Sequence, residues 1–324
     1  MKAQVIVSET GPEGLELQDI PNPEQHPGTY LVDVRSCGIC FPDLLMTQGK
    51  YQLRPPLPFT PGTEVAGVIS AVPEGGGAFQ VGDRVVVASM LGGFGEQIAV
   101  TEQQLFPLPD ALTFDEGAAL GINFQTAIFA LKMRANLQPG ETVGVLGSAG
   151  GIGVASIIVA KALGARVVAV VHRTGNEEML RGLGADEVVQ LTDGWKDKVL
   201  ELTGTGVDVM VDPVGGDVFD EALRAVAPDG RFVVIGFAAG GIPTVKLNRV
   251  LFRNVAIVGA AWGEYIRKHP EVPGNIHQDI VRLVGEGMRP PVNHVYQLGQ
   301  LSEALTDLAE GRVRGKAVVR VSEG

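Results

Sequence analysis

Residues 143–164 read VGVLGSAGGIGVASIIVAKALG. An apolar run with the look of a buried strand ends at Leu146, and Gly147, Gly150, Gly151 and Gly153 crowd the turn that follows. From Ile152 the pattern becomes helical. Glycines at a strand-to-helix turn let the backbone approach a pyrophosphate, while the helix start offers unbonded N–H groups and partial positive charge. The order Gly147-Ser148-Ala149-Gly150-Gly151-Ile152-Gly153 departs from the simple G-x-G-x-x-G pattern, but it sits between a strand and a helix as a dinucleotide-binding turn requires. Ser148, Ala149, Gly150, Gly151 and Ile152 are therefore cofactor-binding candidates.

Downstream of this turn the chain keeps its rhythm. Strands are predicted at residues 142–146, 166–171, 187–190, 207–211, 231–235 and 255–259, with helices at 152–163 and 176–183 among the intervals. Continuous apolar strands joined by helices imply a parallel sheet covered on both faces. Six of them predict a doubly wound α/β domain of the Rossmann type. An acidic residue about 20 positions past the glycines would bond a ribose 2′-hydroxyl and select NAD. Here the second strand runs into His172, Arg173 and Thr174, with no carboxylate before Glu177. Arg173 suits a 2′-phosphate, and the cofactor expected is NADP(H), with His172 and Arg173 at its phosphate.

Upstream the texture differs. Short β segments at 4–7, 30–35, 63–71, 83–87 and 97–100 are separated by Pro and Gly, which predicts an irregular, mostly antiparallel β domain. The tail from about residue 290 returns to mixed β and α character. The boundaries expected are 1–122 with 262–324 for the β domain and 123–261 for the nucleotide-binding domain. With 324 residues, 45% hydrophobic and 19% charged, the chain has ample material for two cores. A net charge of −11 argues against nucleic-acid binding, which needs a basic surface. No run reaches the roughly 18 apolar residues of a membrane span. The first residues, MKAQVIVSE, lack an apolar signal core, and with two cysteines the expectation is a cytoplasmic protein with reduced thiols.

Both cysteines lie in SCGICFPDL, residues 36–44, at C-x-x-C spacing. One pair cannot complete a four-thiolate zinc site, and a redox motif usually carries Pro between its cysteines. From the residues alone, a ligand role and two packed thiols both stand.

Taken together, GICFPDLLMTQGKY, PFTPGTEVAGVI, VGDRVVV, LQPGETVGVLGSAGGIGVASIIVAKALGA, GADEVV, VDPVGG and GKAVVRV resemble the medium-chain dehydrogenase/reductase superfamily, in its zinc-free quinone oxidoreductase (zeta-crystallin-like) branch. The resemblance runs nearly end to end and implies a GroES-like catalytic domain beside the Rossmann domain. In zinc-dependent members the metal takes a Cys, a His in G-H-E and a third ligand. Here Cys40 matches the first, whereas Thr63 of Gly62-Thr63-Glu64 and Ile122 stand at the others. Pro42 replaces a proton-relaying hydroxyl, and the four-cysteine structural lobe is missing. No zinc is therefore expected, and Cys40 becomes a residue beside the substrate.

Without a Lewis acid, the fitting acceptors already delocalise the incoming charge: quinones, or alkenes conjugated to a carbonyl. The resemblance implies a substrate cleft with Tyr51 as a possible proton donor and with Cys40, Met90, Asn123, Trp262 and Tyr265 lining it. It implies cofactor contacts from Thr126 to the nicotinamide, from Val214 and Gly215, from Gly236, Phe237 and Ala238, and from Lys316 closing over the cofactor. A homodimer through the edge strand at 255–259 is also implied. Competing readings are an enoyl-CoA or enoyl-thioester reductase on the same scaffold and a non-catalytic NADPH binder. A short-chain dehydrogenase is rejected, because its glycine loop opens the chain and its Tyr-x-x-x-Lys pair is missing here.

Overall fold

A computed structural model describes residues 1–322. Its strands are, in chain order, β1 (Lys2–Ile6), β2 (Leu15–Asp19), β3 (Thr29–Gly38), β4 (Glu64–Ala71), β5 (Arg84–Ala88), β6 (Gln97–Thr101), β7 (Leu105–Pro107), β8 (Thr142–Leu146), β9 (Arg166–Val171), β10 (Glu187–Gln190), β11 (Val207–Asp212), β12 (Val226–Val234), β13 (Ala256–Gly259), β14 (Val292–Gln297) and β15 (Lys316–Arg320). The chain divides into two compact units, Met1–Ile122 with Val284–Gly324, and Asn123–Leu283. The segment 262–283, expected in the β domain, thus belongs to the nucleotide-binding unit, where its aromatic residues pack on Phe129.

In the first unit a sheet runs in the order β14-β15-β3-β4-β5-β7, with β6 also on β3. It is antiparallel except for the β14/β15 pair. Alternation along β3 points Tyr30, Val32 and Val34 into a core shared with Val65, Val87, Phe94, Val319 and the helix residues Leu301 and Leu305. β3 extends to Gly38, three residues beyond its expected end, because Ser36, Cys37 and Gly38 still pair with β4 and β15.

The second unit is a six-stranded parallel sheet in the order β10-β9-β8-β11-β12-β13. The order reverses direction beside β8, which places the carboxyl ends of β8, β9 and β11 around the switch point where such sheets bind ligands. Strand residues Val168, Val170, Met210 and Phe232 are buried, and Phe219 meets Phe232 edge-on at 4.9 Å. β12 starts at Val226, five residues earlier than its apolar run suggests, because Val226 pairs with Val207 across an irregularity spanning Asp208. Among the described residues no helix is long and apolar enough to cross a membrane.

Candidate functional site

The turn after β8 is built by close backbone approach. Gly147 has φ +60°, and a Cβ there would meet Val214 Cγ2 at 2.8 Å. A Cβ on Gly153 would run into Gly147 O and lie 2.6 Å from Ser148 Cα, so glycine lets the helix Gly151–Ala162 start tight against the strand end. The first intrahelical bond runs from Val154 N to Gly150 O, leaving Gly151, Ile152 and Gly153 as first-turn donors. Gly150 is exposed and Ala149, Gly151 and Ile152 are half-buried, as a phosphate site requires.

Ser148 departs from its expected role. Its side chain is fully buried, its hydroxyl is shared between Val145 O at 2.6 Å and Val170 O at 2.8 Å, and its N–H points to Val170 O at 3.3 Å. Ser148 thus stitches β8 to β9 below the turn, and its donors are spent before any phosphate arrives.

Around the turn, the unit collects several of the candidate residues. β9 ends at Val171 and exposes His172 and Arg173. After β11, Val214 N and Gly215 N donate to Asp212 Oδ1 at 2.8 and 2.9 Å, and Ala238 N and Ala239 N reach back to Pro213 O and Val214 O. Val214, Gly215, Gly236, Phe237 and Ala238 thereby form one zipped pair of turns beside Gly147. Asp212, unremarked in the sequence, is the residue that shapes it. It is buried, its Oδ2 has no partner, and burial raises its carboxyl pKa against the pull of the two N–H donors. An Asp closing the apolar run Val209-Met210-Val211 is the signal that marks it. Asn123 and Thr126 lie on the helix Ile122–Ile128, and the Asn123 amide packs where a Cβ on Gly151 would sit. Trp262 is buried against Phe129 at 5.2 Å, and Tyr265 packs between Phe129 and His269. Both rings are held by aromatic packing.

In the first unit, Tyr51 is half-buried in the loop after the helix Phe41–Thr47, and Met90 is exposed after β5. Cys40 caps that helix, and its side chain enters a buried polar cage. Its Sγ lies 2.9 Å from Glu64 Oε2, as a thiol donating to a carboxylate. Lys316, expected at the cofactor, is the cation of this cage. Its side chain is only 5% exposed, and its Nζ donates to Ile39 O at 3.0 Å, to Cys40 Sγ at 3.2 Å and to Glu64 Oε2. Three donors meet three acceptors, which leaves the ammonium none to spare. Burial works against its charge, but Cys40 and Glu64 outweigh that and raise its pKa. A charged residue opening the apolar strand KAVVR is a sequence signal for a buried partner, and Glu64 at the start of β4 is that partner.

Cys37 takes no part. It is buried, and its Sγ lies 2.8 Å from where a Cβ on Gly93 would stand. The two thiols are free, so C-x-x-C here is not a disulfide. The cage also fails the test for a catalytic zinc, which needs a thiolate and two further ligands. Burial, then the charge of Glu64, pushes the Cys40 thiol well up, and Lys316 only partly offsets this. Thr63 offers a buried hydroxyl without a partner and Ile122 an alkyl chain.

With this geometry in place, the likeness to known proteins is specific. The zinc-binding dehydrogenase family matches residues 151–278, and the alcohol dehydrogenase GroES-like domain matches residues 26–110. The chain is 37% identical over 303 residues to quinone oxidoreductase-like protein 2 of Bos taurus, covering 92% of this chain and 86% of the relative. A probable oxidoreductase from Mycobacterium abscessus superposes with a TM-score of 0.92 at 44% identity, over 99% of this chain and 98% of that one. The quinone oxidoreductase from Thermus thermophilus, also solved with NADPH, superposes with a TM-score of 0.86 at 34% identity, over 99% of this chain and 100% of that one. A GroES-like unit and a Rossmann unit with this glycine turn define an oxidoreductase of medium-chain dehydrogenase/reductase type. The chain belongs to that superfamily, in its quinone oxidoreductase branch.

Two outcomes follow from the cage. Lys316→Met or Glu64→Gln leaves one buried charge unpaired, and each is expected to cost about 3–5 kcal/mol, seen as a lower unfolding midpoint in denaturant. Asp43 gives the second. Its carboxyl is fully buried, accepts the Cys40 N–H at 2.8 Å and faces the charges of Lys316 and Glu64. Burial, partly offset by the Cys40 N–H and Lys316, pushes its pKa up to about 7. The folded chain therefore holds this proton more tightly than the unfolded chain, whose Asp titrates near 4, so stability from this group falls as pH rises from about 4 to about 7. In Asp43→Asn that slope is expected to vanish, measured as the thermal midpoint of parent and variant across this range.

Proposed function

We propose that this chain is an NADPH-dependent, zinc-independent oxidoreductase that delivers hydride to a quinone or to an alkene conjugated to a carbonyl. The observation that carries the cofactor preference is the tip of β9. It ends in exposed His172 and Arg173, and the carboxylate that would repel a 2′-phosphate does not come before Glu177. The glycine turn supplies the pyrophosphate site, and the NADPH complex of the Thermus relative supports the same choice. NADPH, when bound, supplies the hydride. The chain's own part is to hold the phosphates at Gly150–Ile152, shape the turn at Val214 and Gly215 through Asp212, and present Thr126 and Asn123 from the neighbouring helix.

In the first unit Tyr51 is the residue proposed to give a hydrogen bond or proton to the reduced oxygen, with Cys40 and Met90 on the substrate side. Trp262 and Tyr265 serve the second unit by packing on Phe129, and their role toward the acceptor is through that packing. The donor set around Cys40 supports a reaction without zinc. Two reduced, buried thiols accord with a reducing compartment, the cytoplasm.

We also propose a homodimer. β13 pairs with β12 on one side, and it adjoins a strip of exposed apolar residues, Leu247 at 73%, Leu251 at 68% and Phe252 at 80% exposed. An uncovered edge strand next to such a strip invites pairing with a second copy.

The deciding assay follows NADPH and NADH absorbance, with a chelator present, against an ortho-quinone, a para-quinone, an enone and a crotonyl thioester. Chelator-insensitive loss of NADPH with quinone or enone is expected. Reaction of the thioester alone would replace this reading with an enoyl reductase, and binding without turnover would withdraw the catalytic claim. Arg173→Asp is expected to raise KM for NADPH roughly 10-fold or more, the loss of a charge-assisted bond, while sparing NADH. Phe252→Asp with Leu251→Asp is expected to shift the mass in solution from dimer to monomer, measured by light scattering.

A further inference from the structure

Residues 172–175, which carry the basic side chains at the tip of β9, are exposed, whereas the next residue, Asn176, is only 2% exposed. The sheet ends just before them: β10 pairs with β9 as far as Gln190 opposite Val171, and Leu191 N reaches Val171 O at 2.8 Å. Side chains then take over from the ladder. The Gln190 amide donates from Nε2 to His172 O at 2.5 Å, and the Asn176 amide donates from Nδ2 to Arg173 O at 2.9 Å. Two successive carbonyls of an exposed loop are thus held by amides from two different elements, the last residue of β10 and the residue before the helix Glu177–Gly182. Gly175, at φ +80° with open space around it, lets the chain turn back toward Asn176.

The other end of each amide carries the argument further. Asn176 Oδ1 and Gln190 Oε1 are both buried, and neither has a hydrogen-bond partner among the described residues. A buried amide with an unpaired oxygen is costly, and for packing alone an apolar chain of the same shape would serve as well. The NH2 ends are what the fold uses. We propose that Asn176 and Gln190 are positioning residues that lock the main chain of His172 and Arg173, so that the Arg173 guanidinium stands ready for a 2′-phosphate, and that they thereby set the preference for NADPH over NADH. This rests on the role given to Arg173 above. A guanidinium meets a phosphate as a rigid planar fork, so its grip depends on where its stem is rooted. Freedom removed from the loop before binding is freedom that binding no longer has to freeze. NADH lacks the 2′-phosphate and gains nothing from the lock.

The test is equilibrium binding of NADPH and of NADH to the full chain, followed by nicotinamide fluorescence, with the thermal midpoint as the check on fold. Asn176→Leu and Gln190→Met keep the size of each side chain and remove its NH2 donor. Each is expected to raise the Kd for NADPH roughly 3- to 10-fold, the cost of freezing one more side chain on binding, and to leave the Kd for NADH in place. In an Arg173→Ala background the same changes are expected to have no further effect on NADPH. Equal weakening of both cofactors overturns the proposal, as does a loss that persists without Arg173. Unchanged NADPH binding in a folded variant, beside an Arg173→Ala that weakens it, overturns the lock and leaves the reading of Arg173 standing. An Arg173→Ala that binds NADPH as the parent does removes that reading and the proposal with it. Where one variant fails to fold, the other decides. Should neither fold, the side-chain NH2 resonances of Asn176 and Gln190 in the ¹⁵N-labelled parent decide: protection from solvent exchange is expected before NADPH is added, and free exchange refutes the lock.

Discussion

A carboxylate and an ammonium can be buried together only if each neutralises the other where it sits, and in the first unit that requirement pins three adjacent strands. Glu64 opens β4, Lys316 opens β15, and Cys40 follows the end of β3, which lies between them. Register does the aligning: Gly38 stands opposite Glu64 on one side and Val318 on the other. A side chain at Gly38 would push against Ala118 O, Glu64 and Lys316 together. The start of the helix Phe41–Thr47, and with it the loop that carries Tyr51, is therefore held from below by electrostatics rather than by apolar packing alone. A buried pair of this kind adds little net stability against an apolar replacement, and its breakage is what costs. Its effect is to fix a geometry.

The second unit reaches the same end by backbone means. Gly147 and Gly153 bring a helix start against a strand end, Ser148 ties that strand to β9, and Asp212 gathers two N–H groups to form the next turn. Each device sits at the carboxyl edge of the central strands, beside the point where the sheet order reverses. Residues that hold the turn and residues that meet a ligand are thus different ones. The side chains of Ser148 and Asp212 face inward, so that the backbone of Gly150, Gly151 and Ile152 is left facing out.

What was legible in the sequence follows this division. Apolar strands alternating with helices, and glycines between a strand and a helix, are local patterns, and they mark all six strands and the turn, with only the start of β12 five residues off. That Thr63 and Ile122 stand where zinc-dependent members carry ligands is read from the resemblance, position by position. The side-chain partners of Lys316 and Ser148 are not legible in the sequence for one reason: the direction of a side chain is a tertiary fact. Nothing near Lys316 in sequence reveals that Glu64, 252 positions away, lies within reach. The second boundary between units was misplaced because Trp262 and Tyr265 find their partner in Phe129, again far along the chain. Asp43 carries no sequence signal, since an Asp after Pro at a helix start reads as an ordinary first-turn residue, and only complete burial makes it unusual.

The cage and the proposed chemistry constrain each other. A divalent ion can polarise a carbonyl because it keeps an open coordination position for substrate. An ammonium whose three protons are already bonded inside the protein has no such position, and moving it toward a substrate would expose Glu64 to an uncompensated charge in a dry site. Lys316 can therefore shape the loop near Cys40 but cannot act as the electrophile in a hydride transfer. The proposed acceptors agree with this, since the oxygen of a quinone or the carbonyl of an enone supplies its own sink for the arriving electrons through conjugation. What remains for the protein is to donate a hydrogen bond as charge reaches that oxygen, a demand that a half-buried phenol such as Tyr51 can meet without a metal.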